Sequence, residues 1–160
     1  MTEARPTETL ETAADQLGLL LASARRRLWL QTRCRVLNSL PDLELGTHLS
    51  RVARRTRYAD IRLLIDDDLE LKATQPRLAR AVTRLTSAVE VRCFTPEQDT
   101  PGTLLLVVDR GSWLFLVQHR GQVGLRAEHA DPAGTRSAAE RFMGAWALSD
   151  ESLELRSLTL

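Results

Sequence analysis

Lysine is almost missing from this sequence. Of the 22 basic residues, Lys72 is the single lysine and the rest are arginines. The side chain most used for Schiff bases and for point-charge binding of phosphate is therefore nearly absent. Cysteine is scarce as well, with Cys34 and Cys93 the only two. Both stand in apolar or strand-like segments, which reads as buried reduced thiols and excludes a disulfide framework. Charge of one sign is lacking: the formal net charge is +1, so no global field selects a nucleic acid or a membrane. No apolar run approaches the roughly 20 residues that span a bilayer. Met1 to Thr12 carries no apolar stretch of the secretory kind. A cytoplasmic protein without membrane contact is the expectation.

The familiar motifs of enzyme chemistry are absent too. No glycine-rich turn ends in Lys and Ser or Thr, as a P-loop does. No three spaced glycines join a first strand to a helix, as dinucleotide sites need. Gly111-Ser112 lacks the frame of a serine-hydrolase elbow. Cys34 and Cys93 are single and distant, and His119 and His129 have no third ligand near, so neither metal nor cofactor is expected. His48, His119 and His129 each read as surface or capping residues. His119 stands out because it comes directly off a central strand.

What is present suits one domain. The chain has 160 residues, 43% of them hydrophobic and 27% charged, close to ordinary globular usage. A chain of this length buries about 68–70% of its unfolded surface without a staple. Residues 1–6 read as a flexible N-terminus, and 7–160 as a single domain. The spacing predicts an amphipathic helix over about 8–25, capped by Thr7. Leu28 to Thr32 reads as a short buried strand. A turn at Asn38 to Asp42 leads into a second helix capped by Asp42. Its apolar side carries Leu45, Leu49, Val52 and Ala53, and Arg51, Arg54 and Arg55 form its solvated side. Ile61 to Ile65 is a branched-residue strand ending in a loop at Asp66-Asp67-Asp68. Pro76 begins a third helix, and Val89 to Phe94 is a third strand. This alternation argues for a partly parallel sheet with covering helices.

The pattern then changes. Leu104 to Val108, Trp113 to Gln118 and Val123 to His129 read as consecutive strands with tight turns between them. Asp131-Pro132 starts a last helix, whose buried stripe is Ala138, Ala139, Phe142 and Trp146. The tail from Ser149 carries Leu153, Leu155 and Leu158 and is expected to pack on the body or on a partner.

Two charged clusters are candidates for binding. Asp66, Asp67 and Asp68 follow a strand end, where open α/β sheets bind ligands, though a solvated acidic loop is the stronger account of them. Nine arginines lie between Arg25 and Arg57, at positions 25, 26, 27, 33, 35, 51, 54, 55 and 57, against Asp42 and Glu44. Converging arginines can hold phosphate or an acidic partner. Only Trp29 and Tyr58 are near enough to stack a base, so nucleic acid is not the expected partner.

The order of elements resembles one half of the phospholipase D-like fold. Four features carry the resemblance. A basic strand leader, Ala24-Arg25-Arg26-Arg27-Leu28-Trp29-Leu30, follows the first helix. A helix leads into Ala59-Asp60-Ile61-Arg62-Leu63-Leu64-Ile65. Val89-Glu90-Val91-Arg92 precedes the hairpin strands at 104–109 and 113–118. A closing helix carries Phe142-Met143-Gly144-Ala145-Trp146. The resemblance implies an α/β fold, a mixed β-sheet with flanking helices. Enzymes of that superfamily use a His-x-Lys-x-x-x-x-Asp motif, in which the histidine attacks phosphorus and the lysine holds phosphate oxygens. Anchored on Asp109, the motif puts Gly102 at the histidine position and Leu104 at the lysine position. Only the aspartate remains, so covalent phosphoryl transfer by that route has no nucleophile. The chain thus resembles a degenerate, uncharacterised bacterial group in which the domain stands alone or behind a GNAT-type acetyltransferase domain.

The resemblance implies a non-catalytic domain that binds a small phosphate-bearing ligand or a protein, and that pairs as a homodimer. Candidate ligand-binding residues at the expected strand ends are Thr32, Arg33, Asp66, Thr103, Asp109, Gln118 and His119. The alternatives are a phosphodiesterase-like enzyme with a rebuilt site using His119, with Arg33 or Arg120 holding phosphate, or a nucleic-acid-binding domain using the Arg25–Arg57 segment.

Overall fold

Leucine-rich and branched runs make the strands of a mixed sheet, seen in a computed structural model that describes residues 8–95 and 102–156. Strands β1 (Arg27–Thr32), β2 (Asp60–Ile65) and β3 (Val89–Cys93) lie parallel. Strands β4 (Thr103–Val108), β5 (Ser112–His119) and β6 (Gln122–Glu128) form an antiparallel meander. β4 runs antiparallel to β1, and the two-residue β7 (Asp150–Glu151) closes the far edge against β3. The order across the sheet is β6-β5-β4-β1-β2-β3-β7.

One face is covered by α1 (Leu10–Ser23), α2 (Cys34–Ser39), α3 (Leu45–Arg55), α4 (Asp68–Thr74) and α5 (Pro76–Arg84). Their apolar sides and alternate strand residues, among them Leu28, Leu30, Ile61, Leu63, Leu104 and Leu106, build the larger core. Among the described residues the other face carries α6 (Pro132–Ala147), seated on Trp29, Leu64, Leu105 and Val107. Phe142 stacks between Trp29 and Trp146, with ring centroids 5.1 and 5.6 Å apart. Arginines flank these rings: Arg27 and Arg62 lie over Trp29, and Arg92 lies over Trp146. These cations are held by aromatic faces inside the fold.

Every expected strand is present, and α1, α3, α5 and α6 match expected helices. Several local readings change. Thr7 and residues 1–6 lie outside the described residues. The cap of α1 is Thr9, whose hydroxyl accepts the Thr12 N–H at 3.0 Å. Asp42 does not cap α3; it accepts the Glu44 N–H at 2.9 Å in a turn just before the helix. Asp66 to Asp68 is not a simple loop, because Asp67 accepts the Glu70 N–H at 3.0 Å and caps α4. An acid three residues after a capping acid is a helix-start pattern. The segment after β1 folds as α2, burying Cys34, Val36 and Leu37.

Arg51 also departs from the expected solvated row. Its guanidinium donates to the carbonyls of Leu21 and Ala24 at 2.7 and 2.9 Å. These acceptors lie at the end of α1, where carbonyls lack helical partners. In the tail, Leu155 is buried in the core and Leu153 is exposed, while Leu158 lies outside the described residues. No helix among the described residues is long and apolar enough to cross a membrane.

Candidate functional site

The parallel strands β1 and β2 end side by side, with Thr32 paired to Ile65. Thr32 is paired on its other side to Leu104, near the start of β4. Thr103 is in turn paired to Val117 of β5. One end of the sheet therefore gathers Thr32, Thr103 and Gln118, with Arg33 and Asp66 directly following β1 and β2. This is the C-terminal edge of the parallel strands, the usual ligand edge of such sheets.

Most polar groups there are engaged in holding the chain. The buried Thr32 hydroxyl donates to the Arg33 carbonyl at 3.0 Å. Asp66 accepts the Cys34 N–H at 2.8 Å, at the start of α2. Gln118 shares a 3.3 Å side-chain hydrogen bond with Ser39. Asp68 accepts from the Ser152 hydroxyl at 2.8 Å, which ties the tail to this edge. His119 sits exposed at the hairpin tip, with no side-chain hydrogen bond among the described residues. The base-to-partner contact of a rebuilt catalytic site is thus not formed there.

Asp109 lies elsewhere. β4 is antiparallel to β1, so the start of β4 meets the end of β1 and Asp109 falls at the opposite edge of the sheet. Its carboxylate accepts the N–H groups of Arg25, Arg26 and Arg27 at 3.1, 2.9 and 3.0 Å. This candidate is a backbone clamp on the strand leader and does not join the other six.

Position 102 is closed to any side chain. Gly102 has φ +77°, and a Cβ placed on it would collide with the Gln118 carbonyl oxygen. Position 104 faces the larger core, and Leu104 is fully buried. A histidine and a lysine at these two places would meet backbone and leucine, not a solvent-filled cleft.

Cys34 is the buried free thiol expected from sequence, but its acidic neighbours were missed. With Asp66 and Glu70 it forms a group whose potential ligand atoms lie within 4.8 Å of one another. Burial first, then the Asp66 charge, pushes the Cys34 thiol far above its ordinary range. Its thiol donates to the Asp67 carbonyl at 3.3 Å. This environment opposes the thiolate that nucleophilic attack or soft-metal ligation requires.

A second feature is a groove of about 480 Å³ between α3 and α5. Arg51, Arg54, Arg77, Arg80 and Arg84 line it. Only Arg51 and Arg54 belong to the arginine-rich stretch legible in sequence. The other three come from α5, and their spacing of three and four residues was the available signal.

Residues 9–158 match the family described as Domain of unknown function (DUF7931). The chain belongs to that family. No curated protein matches it in sequence. Among solved structures it is similar to Nuc from Salmonella typhimurium, a phospholipase D family member. That likeness has a TM-score of 0.58 at 14% identity and covers 84% of this chain and 88% of the other. It is also similar to TrmBL2, an archaeal chromatin protein described with a novel mode of DNA binding. There the TM-score is 0.65 at 13% identity, covering 94% of this chain and 55% of that one. The chain thus spans about half the length of the chromatin protein. The DUF7931 domain therefore has the α/β architecture of a phospholipase D family member, a seven-stranded sheet flanked by helices.

Proposed function

We propose that this domain is a non-catalytic phospholipase D-like module that works by binding. The observation that carries this reading is the collision awaiting any Cβ at Gly102, together with the burial of Leu104. The strand that bears the nucleophile and the phosphate-holding cation in the enzymes offers neither here, nor room for them. The edge formed by Arg33, Asp66, Thr103, Gln118 and His119, with the buried Thr32 beneath it, is the proposed contact surface for a small ligand or protein. We also propose that the chain pairs with a second copy, as the family resemblance implies; sedimentation velocity reads its mass directly.

The test is hydrolysis of a generic chromogenic phosphodiester by the purified protein. The expected rate equals that of buffer and is the same for His119→Ala. Turnover that disappears in His119→Ala overturns the reading in favour of a rebuilt enzyme.

A second reading, nucleic-acid binding, is favoured by the arginine-lined groove of α3 and α5. The shared fold with a DNA-binding chromatin protein adds to it.

A further inference from the structure

We propose that the groove between α3 and α5 holds the phosphate backbone of a nucleic-acid strand, without reading its sequence. The proposal rests on the second reading above and names its surface. Arg54, Arg77, Arg80 and Arg84 line the groove with Arg51, whose guanidinium is held by the Leu21 and Ala24 carbonyls, and among the described residues its acids are Asp42 and Glu44, which precede α3 in the chain. The helices come close because α3 has Gly46 there. A Cβ at that position would sit 3.3 Å from both the Ala81 Cβ and the Arg77 carbonyl oxygen.

Arg77 and Arg80 make no evident contribution to the fold, whereas Arg84 lies in the last turn of α5, where the helix dipole favours a cation. Arg54, Arg77, Arg80 and Arg84 make no ion pair among the described residues. Like charges at a spacing of three and four residues repel along a helix. Arg77 lies in the first turn of α5, where the helix dipole disfavours a cation, and that turn holds no acid to offset it. A row kept against these local costs is suited to an anion from outside. This contrasts with Arg27, Arg62 and Arg92, which lie over tryptophan rings.

The row has the length of a polymer. Seven helical residues separate Arg77 from Arg84, an axial rise of about 10 Å. Phosphates repeat once per nucleotide along a strand, so a row of this length reaches more than one of them. A single phosphate needs only one or two arginines. The basic character continues through Arg55, at the end of α3, into Arg57 and the exposed Tyr58, with Arg57 4.9 Å over the tyrosine ring. An anionic membrane is the weaker match, because lipid surfaces take apolar side chains as well as charge. The exposed Leu19, Leu69, Leu148 and Leu153 all lie outside the groove.

The experiment is fluorescence anisotropy of labelled single-stranded and duplex DNA and RNA, titrated with the full chain at rising salt. Wild type is expected to bind at about 50 mM salt, with log K falling by about 0.7 per neutralised phosphate of a single strand for each unit of log salt. The triple variant Arg77→Ser, Arg80→Ser, Arg84→Ser is expected to bind at least tenfold more weakly, with the slope reduced by about 2. Arg136→Ser, in α6, is expected to leave both unchanged. Circular dichroism and thermal melting check the triple variant's fold; should it not fold, Arg80→Ser alone is expected to reduce the slope by about 0.7. No binding by wild type at low salt overturns both the second reading and this site. Binding that survives the groove variants overturns the site alone. Equal competition by polyglutamate, or equal groove-dependent retention on anionic vesicles, overturns nucleic acid as the ligand.

Discussion

The Gly102 carbonyl accepts the Gln118 N–H at 2.7 Å, and the Gln118 carbonyl oxygen stands where a Cβ of residue 102 would go. The β4–β5 pairing at this edge thus depends on the absence of a side chain at position 102. Gly102→Ala is expected to lower stability by at least about 2 kcal/mol, from left-handed backbone strain and the collision together. Leu104→Lys would bury a charge without a partner. Restoring the motif by Gly102→His with Leu104→Lys should therefore yield an unfolded chain and no phosphodiesterase. A folded, active double variant, read by urea melts and turnover, would refute the account of this edge.

Asp109 has a structural role. It accepts three successive backbone N–H groups, those of Arg25, Arg26 and Arg27. Asp109→Ala is expected to cost about 1–3 kcal/mol by leaving those donors to solvent. Asp109→Asn keeps an acceptor oxygen and should cost less. Equal urea midpoints for the three proteins contradict the clamp.

The two thiols should be sluggish toward alkylation. Burial first, and then Asp66, raises Cys34 strongly. Burial first, and then Asp68, pushes Cys93 up to about 11. At pH 8 the Cys93 thiolate is then about 0.1% populated. Iodoacetamide at pH 8 is expected to label neither in the native protein, and Cys93 only as pH approaches 11. Mass spectrometry after timed quenching reads this, and rapid native labelling of Cys34 is the contrary result.

Acid should weaken the domain partly through His48. Desolvation first, and then Arg51, holds its pKa below the ordinary 6.5. In the window below 6.5 the unfolded chain binds more protons than the folded one. Stability therefore rises with pH through that window, and His48's contribution is lost as pH falls through its folded value. His48→Gln is expected to flatten this part of the curve of stability against pH. Parallel curves for the two proteins mean that other groups govern acid sensitivity.

One candidate, Asp109, was misgrouped in sequence reading for a physical reason. Thr32, Asp66, Thr103 and Asp109 all stand at or beside strand ends, and sequence reveals an end but not which edge it occupies. The antiparallel run of β4 beside β1 carried Asp109 away from the rest. Arg51 likewise sits at helical spacing with Arg54 and Arg55, yet packing against the end of α1 gave it backbone acceptors.

Periodicity and turn chemistry, which act within a few residues, determined the elements themselves. Leucine and branched runs became strands and Asp131-Pro132 opened α6, while the reading of Gly102 and Leu104 as the places of a histidine and a lysine came from the family resemblance. Tertiary structure alone decided that position 102 has no room for a side chain. It also brought three arginines of α5 beside two of α3, across more than twenty residues of chain. Local rules cannot state that meeting, because it is fixed by how two helices share one face of a sheet.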